Sequence, residues 1–522
     1  MHNSTSTFNR NNRTSNSIKS SLWGAVNSAL GIVFGFVYRT VFIAILRAEY
    51  LGLNGLFSNI LQVLSLAELG ITTAIVYRFY EPISKNDYVQ VGRLMNYLKI
   101  IYRYIAIIIV VLGLSITPFI KYFINDMSSI PNDINIYFIY VLFLLNTVSS
   151  YLFAYKQNIL SADQRGYIIS IVNIISSLVK YIIQILVLIV SGNYTFTLFS
   201  GIVLTVLINI LFSYLIQKKY ASIFEIKDKI LAEDKKAILT DTKAFMFHRV
   251  GATVKLSTDS IIITKFVSLV SAGIYSNYSM IITGIQSLIS QLLGNFVSSV
   301  GNAHFKLSSK ENYSIYRKLL FTDLWISTVT IVCTYLLLND FIDMWIGKKY
   351  LFDKATLIML CLQFYIFISR QINISYIYGC GLFTRDKYRP IIEAVLNLVL
   401  SIIGVKTCGI VGVFIGTVVS SVLTVCWREP VILFNEEFKE PVYNYWKTYL
   451  SFVFISLVIC FIGDMIKQKF IAISSWFILI AEAIVIFAIV NIVLFLIYRK
   501  SEEYAYMKQL IKKVMMKRFN KS

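Results

Sequence analysis

The sequence predicts an all-α integral membrane protein, with about fourteen transmembrane helices in two pseudo-symmetric six-helix lobes plus a C-terminal helix pair. Three observations indicate this fold class. Of the 522 residues, 57% are hydrophobic and only 15% are charged, far from the balance of a soluble domain. Apolar stretches of about 20 residues, long enough to cross a hydrocarbon core of roughly 30 Å as helices, recur between short charged clusters. Lys and Arg residues concentrate at alternate ends of these stretches.

The apolar stretches predict helices because they are apolar throughout, as in 105–120 and 477–497, whereas transmembrane strands alternate apolar and polar residues over about 10 positions. The seventh span carries several charged residues, and the predicted boundary between the eleventh and twelfth spans lies near Lys406 and Gly409. The fourteen spans are approximately 21–46, 53–79, 98–120, 134–156, 168–190, 195–217, 244–266, 270–298, 318–339, 352–379, 389–405, 408–427, 447–465 and 472–498.

The distribution of basic residues predicts the orientation. With the N-terminus inside and fourteen spans, most of the 49 Lys and Arg residues fall on the cytoplasmic side, and both termini are cytoplasmic. The net charge of +21 is that of a basic membrane protein facing anionic lipid, and no nucleic-acid partner is expected. The Asn-, Ser- and Thr-rich residues 1–20 lack the features of a secretory signal.

Neither a metal site nor a catalytic centre is predicted. The six cysteines show no metal-like CxxC spacing and are expected to be small buried hydrophobes. The longest internal loop, 218–243, carries no nucleotide-sugar motif, which argues against a membrane glycosyltransferase. We therefore expect a transporter without catalytic residues or a cofactor.

A faint internal repeat predicts the domain organisation. The Gly-Leu-Phe-Ser-Asn segment at 55–59 matches Gly-Ile-Tyr-Ser-Asn at 273–277, and Arg165 before the fifth span resembles Arg385 before the eleventh. The repeating unit is then six spans, as in transporters built from two related halves. The predicted parts are a cytoplasmic tail 1–20, an N-lobe 21–217, a cytoplasmic linker 218–243, a C-lobe 244–427, helices thirteen and fourteen at 428–498, and a basic cytoplasmic tail 499–522.

Charged residues inside the spans are the candidate functional residues, because a charge in a spanning helix costs at least about 2.5 kcal/mol on insertion scales. In the first span, Arg39 shares a helix face with Asn27, Gly31 and Gly35. This face would line a cavity, or Arg39 would extend toward the nearer interface. In the fifth span, Lys180 lies deep on a polar face, where hydrogen bonding between helices is the alternative role.

The seventh and tenth spans carry further bases. Arg249 and Lys255 in the seventh are candidates for substrate contact, although Lys255 and Asp259, one turn apart, would also neutralise each other as a structural pair. In the tenth, Arg370 shares a face with Gln363 and Asn373, again with interhelical hydrogen bonding as the alternative.

Three acidic residues inside spans, Glu68, Asp259 and Glu393, are candidate sites for ion coupling. For Glu393, an ion pair with Arg370 or another base is an equal alternative. Basic residues nevertheless outnumber acidic ones deep inside the spans. The planar guanidinium group of Arg has paired N–H donors whose geometry matches phosphate oxygens. A cavity lined by Arg39, Lys180, Arg249, Lys255 and Arg370 predicts an anionic substrate.

Several motifs make the chain similar to the multidrug, oligosaccharidyl-lipid and polysaccharide exporter superfamily, and within it to the polysaccharide-unit (O-antigen or capsule repeat-unit) flippases. They are the first-span stretch 24–46 with Glu-Tyr-Leu-Gly at 49–52, Leu-Ser-Leu-Ala-Glu-Leu-Gly-Ile at 64–71, and Gly-Ile-Val-Gly-Val-Phe-Ile-Gly-Thr at 409–417. The resemblance implies two lobes that alternate between inward- and outward-open states around a cationic cavity, in a bacterial cell membrane.

The resemblance also implies a cargo. It would be an oligosaccharide linked to undecaprenyl pyrophosphate, with the bases above and Asn27, Gln363 and Asn373 as its contacts, and a polysaccharide polymerase and glycosyltransferases as partners besides the membrane lipids. The driving force would be H+ or Na+ coupling or the membrane potential. A peptidoglycan lipid-precursor flippase and a cation-coupled multidrug exporter of the same superfamily remain the alternatives, the latter disfavoured by the base-rich interior.

Overall fold

The structure is a computed structural model, and every element in the part of the chain that it describes is a helix. The described residues are 13–68, 71–294, 307–470 and 475–509, with the isolated positions 296, 300 and 304. A few side chains inside the helices, among them His248 and Arg249, lie outside the described set. By contact density the chain divides into two compact units, Met1–Asn277 and Tyr278–Ser522.

Unit 1 contains ten helices and the start of an eleventh. They are α1 (Arg13–Ile45), α2 (Ala48–Leu64), α3 (Ile71–Lys85), α4 (Tyr88–Ile116), α5 (Ile136–Ala154), α6 (Gln157–Ala162), α7 (Gly166–Ser191), α8 (Tyr194–Lys219), α9 (Ala221–Phe224), α10 (Ala232–Phe266) and α11 (Leu269–Gly294), which crosses the unit boundary. Helix α1 packs along α7, α5 along α8, and α2 along α10.

Local sequence sets the sharp turn between α7 and α8. Gly192 adopts a left-handed conformation (φ 59°) at the end of α7, which glycine accepts without steric cost. The Asn193 side chain then accepts a hydrogen bond from the Phe196 N–H, 3.1 Å away, and caps α8. The two long helices therefore run antiparallel as a hairpin and bury Leu188 and Tyr194 in the core of the unit.

The second predicted span, 53–79, differs from the structure. Helix α2 ends at Leu64, a 3₁₀ turn covers Ser65–Glu68, and α3 starts at Ile71. The Ser65 hydroxyl donates to the Leu61 carbonyl, a local bond that competes with the helical ladder. The apolar run therefore forms two helices rather than one, and Glu68 lies half-buried in the turn between them.

The described part of unit 2 continues α11 and adds seven helices. They are α12 (Ser309–Ile346), α13 (Lys354–Ile368), α14 (Gln371–Gly379), α15 (Arg389–Ser421), α16 (Trp427–Ile432), α17 (Tyr443–Phe470) and α18 (Trp476–Tyr498). The long α12 packs against α13, α17 and α18. Beyond α18, the Tyr504 ring of the predicted basic tail contacts the Trp325 ring of α12 at a centroid distance of 5.6 Å.

Helix α15 is in fact a hairpin of two helices, at the place where the sequence predicts a split. Gly409 breaks the helical path with φ 60° and ψ −142°. The two arms then run so close together that a Cβ atom placed on Gly404 would lie 2.2 Å from the Gly412 carbonyl oxygen. Asn397 donates to Thr417 (2.7 Å) across the same hairpin. The predicted eleventh and twelfth spans thus correspond to the two arms.

Ten helical segments of the described chain are long and apolar enough to cross a membrane. The difference from fourteen has particular causes. The eleventh and twelfth spans are counted together in Arg389–Phe438. The second predicted span is divided between two shorter helices. The seventh and eighth predicted spans lie in α10 and α11, which are not apolar enough to be counted. The contact boundary inside α11 does not coincide with the predicted lobe boundaries, which stay a prediction.

Candidate functional site

Arg39 on α1 is a half-buried cation, and its hydrogen-bond partners among the described residues are neutral. Its Nε donates to Asn277 Oδ1 (2.7 Å), and its Nη2 donates to the Ser276 hydroxyl oxygen, both on α11. The rings of Tyr38 and Tyr181 lie beside it, tilted by 34° with their centroids 5.2 Å apart. No carboxylate among the described residues pairs with Arg39. Within the described part of unit 1 its positive charge is therefore uncompensated, and Asn27 lies half-buried farther along the same helix.

Two glycines bring α11 close enough to meet Arg39. A Cβ atom on Gly273 would lie 2.2 Å from the Ala48 carbonyl oxygen, and one on Gly52 would lie 2.2 Å from the Leu269 carbonyl oxygen. Small residues at such a crossing let two backbones approach in a membrane. The repeat segment 273–277 thereby contributes both the crossing glycine and the two Arg39 acceptors.

Lys180 on α7 is a second cation that has no counter-ion among the described residues. Its side chain is half-buried, with Cε 3.4 Å from where a Cβ atom on Gly201 would lie. The neighbouring Gln184 is occupied by the Thr197 carbonyl, which accepts from its Nε2 at 3.2 Å. Within the described part of the chain, the Lys180 ammonium has neither a hydrogen bond nor an ion pair. Because α1 packs along α7, both uncompensated cations belong to one helix pair.

The predicted tenth span is broken at Arg370 and forms α13 and α14. Asp323 on α12 lies at this break, and its Oδ2 accepts from the Ile372 N–H in the first turn of α14 (3.1 Å). The positive end of the half-helix dipole stabilises such a carboxylate. Discontinuous helices of this kind occur at the binding sites of membrane transporters.

Arg370 itself forms a buried ion pair with Glu429. Its Nε donates to Glu429 Oε2 (3.0 Å), and its Nη2 donates to Oε1. Glu429 lies in α16 beside Pro430, between the wider π-helical turns Val422–Cys426 and Leu433–Phe438. Such turns often occur at functional sites. Here they lie on either side of Pro430, which has no backbone N–H to donate to the helical hydrogen bonds. The predicted phosphate ligand Arg370 is thus occupied by a carboxylate.

A second arginine extends this ion pair into a network. Arg389 donates to Asp386 Oδ2 (2.6 Å) and to Glu393 Oε2 (2.8 Å), and its Nη2 lies 3.5 Å from Glu429 Oε1. Three nearly buried carboxylates therefore face two guanidinium groups. Of the alternatives for Glu393, the structure shows an ion pair with a base other than Arg370.

The remaining predicted residues are placed as follows. Asn373 connects three helices, because its Oδ1 accepts from the Tyr316 hydroxyl (2.7 Å) and its Nδ2 donates to the Tyr445 hydroxyl oxygen (3.3 Å). Gln363 is half-buried on α13. On α10, Asp259 is fully buried and Lys255 half-buried, while the side chain of Arg249 lies outside the described set.

Sequence reasoning missed Glu429, Arg389 and Asp386. The i, i+3 and i, i+4 spacing of Asp386, Arg389 and Glu393 is visible in the sequence and is a signal for ion pairs on one helix face. Glu429 has no such signal, because it follows the end of the predicted twelfth span and its partner Arg370 is 59 residues away.

Comparisons with known proteins agree with this architecture. A family model described as "Polysaccharide biosynthesis protein" matches residues 17–296. Comparison with curated protein sequences gives no match.

Several solved structures share the fold. A lipid II flippase MurJ in an inward closed conformation is 16% identical with a TM-score of 0.66, covering 92% of this chain and 99% of that one. An inward-facing multidrug resistance MATE family transporter of the MOP superfamily is 14% identical with a TM-score of 0.59, covering 79% and 96%. A mutant of the Vibrio cholerae MATE transporter VcmN is 13% identical with a TM-score of 0.54, covering 83% and 100%.

The family match agrees with the predicted resemblance to polysaccharide proteins, and the structural matches confirm the all-α, multi-pass membrane fold. The neighbours are a flippase and transporters rather than enzymes, in agreement with the predicted transporter. At identities of 12–16% the structural likeness itself concerns the fold.

Proposed function

Because this chain belongs to the polysaccharide biosynthesis protein family, we propose that it is a flippase for a polyprenyl-pyrophosphate-linked oligosaccharide repeat unit. It would move this lipid from the inner to the outer leaflet of a bacterial cell membrane by alternating access, with both termini in the cytoplasm, for capsule or exopolysaccharide assembly. H+ or Na+ coupling or the membrane potential would drive the step. A polymerase and glycosyltransferases would act on the same lipid.

The observation that carries this proposal is the pair of uncompensated cations, Arg39 and Lys180, on the packed helices α1 and α7. A pyrophosphate brings the negative charge that these helices lack. Hydrogen bonds between a guanidinium and phosphate oxygens are roughly twice as strong as neutral ones. Among the predicted contacts, we therefore favour Arg39 and Lys180 over Arg370, whose charge Glu429 already compensates.

The Arg39 geometry also suggests how binding would couple to movement. Its two donors now hold Ser276 and Asn277 of α11. A phosphate group at Arg39 would replace these neutral acceptors and release α1 from this contact. Headgroup binding would then favour a conformation in which α1 and α11 pack differently. A ligand shifts a conformational equilibrium only when it binds one conformation more tightly than the other.

A peptidoglycan lipid-precursor flippase is the second candidate, supported by the MurJ fold across 92% of the chain. It would use the same kind of anionic headgroup site. A cation-coupled drug exporter is disfavoured, because a cationic drug would meet two uncompensated bases in unit 1.

The test uses a strain that lacks this protein, complemented with variants present at normal levels. Arg39→Gln and Lys180→Gln each remove a charged donor to phosphate, worth about 1.5–3 kcal/mol or roughly 10- to 100-fold in affinity. We expect the double variant to accumulate lipid-linked oligosaccharide on the inner leaflet, measured by mass spectrometry. The matched control, Lys348→Gln, changes an exposed lysine outside α1 and α7 and should translocate as wild type.

Wild-type translocation by the double variant would refute the cationic headgroup site. Loss of growth on deletion, with accumulation of a peptidoglycan precursor instead of a repeat unit, would favour the second candidate.

A further inference from the structure

A basic groove lies within unit 1 where α4, α5 and α8 meet, apart from Arg39 and Lys180. Its cavity is about 320 Å³. This is far more than the about 10–15 Å³ that one water needs, so the groove has room for a polar group larger than a single water. The lining residues are Lys99, Tyr102, Arg103, Tyr151, Leu152, Phe153, Tyr155, Lys156, Ile210, Ser213, Tyr214 and Gln217.

The groove carries three positive charges and no acidic lining residue. Lys99 and Arg103 lie one turn apart on α4, and among the described residues neither has an ion-pair or hydrogen-bond partner. Lys156 follows the end of α5 and donates to Gln217 Oε1 (2.7 Å), which leaves two of its three donors. Burial and the charge of Lys99 lower the pKa of Lys156. An anion in the groove would relieve the repulsion among these bases.

The rim of the groove is apolar and exposed. Leu152 and Ile210 are each 45% exposed, and Tyr214 is 61% exposed. In a multi-pass membrane protein, exposed apolar side chains of this kind face acyl chains. Aromatic side chains such as Tyr214 are enriched at the level of lipid headgroups. A ligand that fits both parts has a phosphate for the bases and acyl chains for the rim.

We propose that this groove binds the headgroup of an acidic membrane phospholipid, with its phosphate held by Lys99, Arg103 and Lys156 and its acyl chains along Leu152, Ile210 and Tyr214. Basic pockets between transmembrane helices bind anionic lipid headgroups in this way. The bound lipid would connect α4 to the ends of α5 and α8. The groove would bind this phospholipid whatever substrate the protein transports.

The test measures lipid binding to the purified full chain in detergent, with phosphatidylglycerol as the probe and phosphatidylcholine as the neutral comparison. The triple variant Lys99→Gln/Arg103→Gln/Lys156→Gln should bind phosphatidylglycerol about 100-fold more weakly, since each base near an anionic surface contributes roughly fivefold. Lys235→Gln/Lys236→Gln removes two exposed bases of α10 outside the groove and should bind within about twofold of wild type.

A charge-preserving variant, Lys99→Arg/Lys156→Arg, keeps the test valid if the triple variant folds poorly, and it should retain binding. Four outcomes would overturn the proposal: loss of binding in the charge-preserving variant while it is folded, equal loss in the control, equal binding of phosphatidylcholine, or displacement of phosphatidylglycerol by millimolar inorganic phosphate. A tenfold preference for a polyprenyl pyrophosphate over phosphatidylglycerol would assign the groove to the transported lipid instead and would also overturn it.

Discussion

Replacement of Glu429 by Gln should destabilise unit 2 strongly. Gln has nearly the same shape but no charge, so Arg370 would lose the carboxylate that accepts from both of its bonded donors, while Asp386 and Glu393 stay paired with Arg389. The Arg370 side chain is 17% exposed and that of Glu429 is 2% exposed. Removing one partner of a buried ion pair typically costs about 3–5 kcal/mol, because the other charge remains uncompensated in a medium of low dielectric. Arg370 is partly exposed and the Glu393 carboxylate remains near it, so we expect a cost near the lower end of this range, at about 3 kcal/mol.

The assay is the free energy of unfolding of the purified protein in detergent, from denaturant titrations followed by tryptophan fluorescence. Glu81→Gln is the matched control, since it breaks an ion pair with Lys85 of similar length (2.7 Å) whose side chains are 75% and 68% exposed. Exposed pairs of this kind contribute little to stability, because water screens the two charges. The double variant Arg370→Gln/Glu429→Gln removes both charges and should be less destabilised than the sum of the single variants, by at least about 1.5 kcal/mol.

Two results would refute this reasoning. A Glu429→Gln protein within about 1 kcal/mol of wild type would mean that water or other groups compensate Arg370. A double variant whose destabilisation equals the sum of the two single variants would mean that the two side chains are not coupled.

Two further predictions concern the α15 hairpin. Gly409→Ala should lower the free energy of unfolding by about 1–3 kcal/mol, because a residue with a side chain is strained at φ 60° and ψ −142°. Gly31→Ala is the control: no atom lies near its Cβ position, so the free energy of unfolding should change by less than about 1 kcal/mol. Equal effects in the two variants, in the same unfolding titrations, would contradict the strain. Cys408 is exposed beside Gly409 and, by the predicted orientation, lies outside the cell. A membrane-impermeant maleimide should therefore label intact cells through Cys408 and not through the buried Cys361, and labelling that survives Cys408→Ser would contradict the assignment.

The sequence by itself determined most of the helical organisation. Length and hydropathy are properties of a local stretch, so the apolar runs that became α4, α5, α7, α8, α17 and α18 were visible without any tertiary information. The same holds for the α15 hairpin, where Gly409 interrupts an apolar run. The helices differ from the predicted spans where polar groups inside an apolar run form hydrogen bonds locally or with another helix. Ser65 does so after α2, and Asp323 does so at the break before α14.

The tertiary structure decided what each buried charge does. Arg39, Lys180 and Arg370 have similar surroundings in the sequence, each a base on a polar helix face. Only the packing gives Arg370 a carboxylate 59 residues away and gives Arg39 two neutral acceptors on α11. The energy of a charge inside a membrane depends on its neighbours within a few ångströms, and distant segments supply those neighbours. Hydropathy could therefore locate the bases inside the spans. Only the packing of the helices distinguishes Arg370, which has a carboxylate partner, from Arg39 and Lys180, which have none among the described residues.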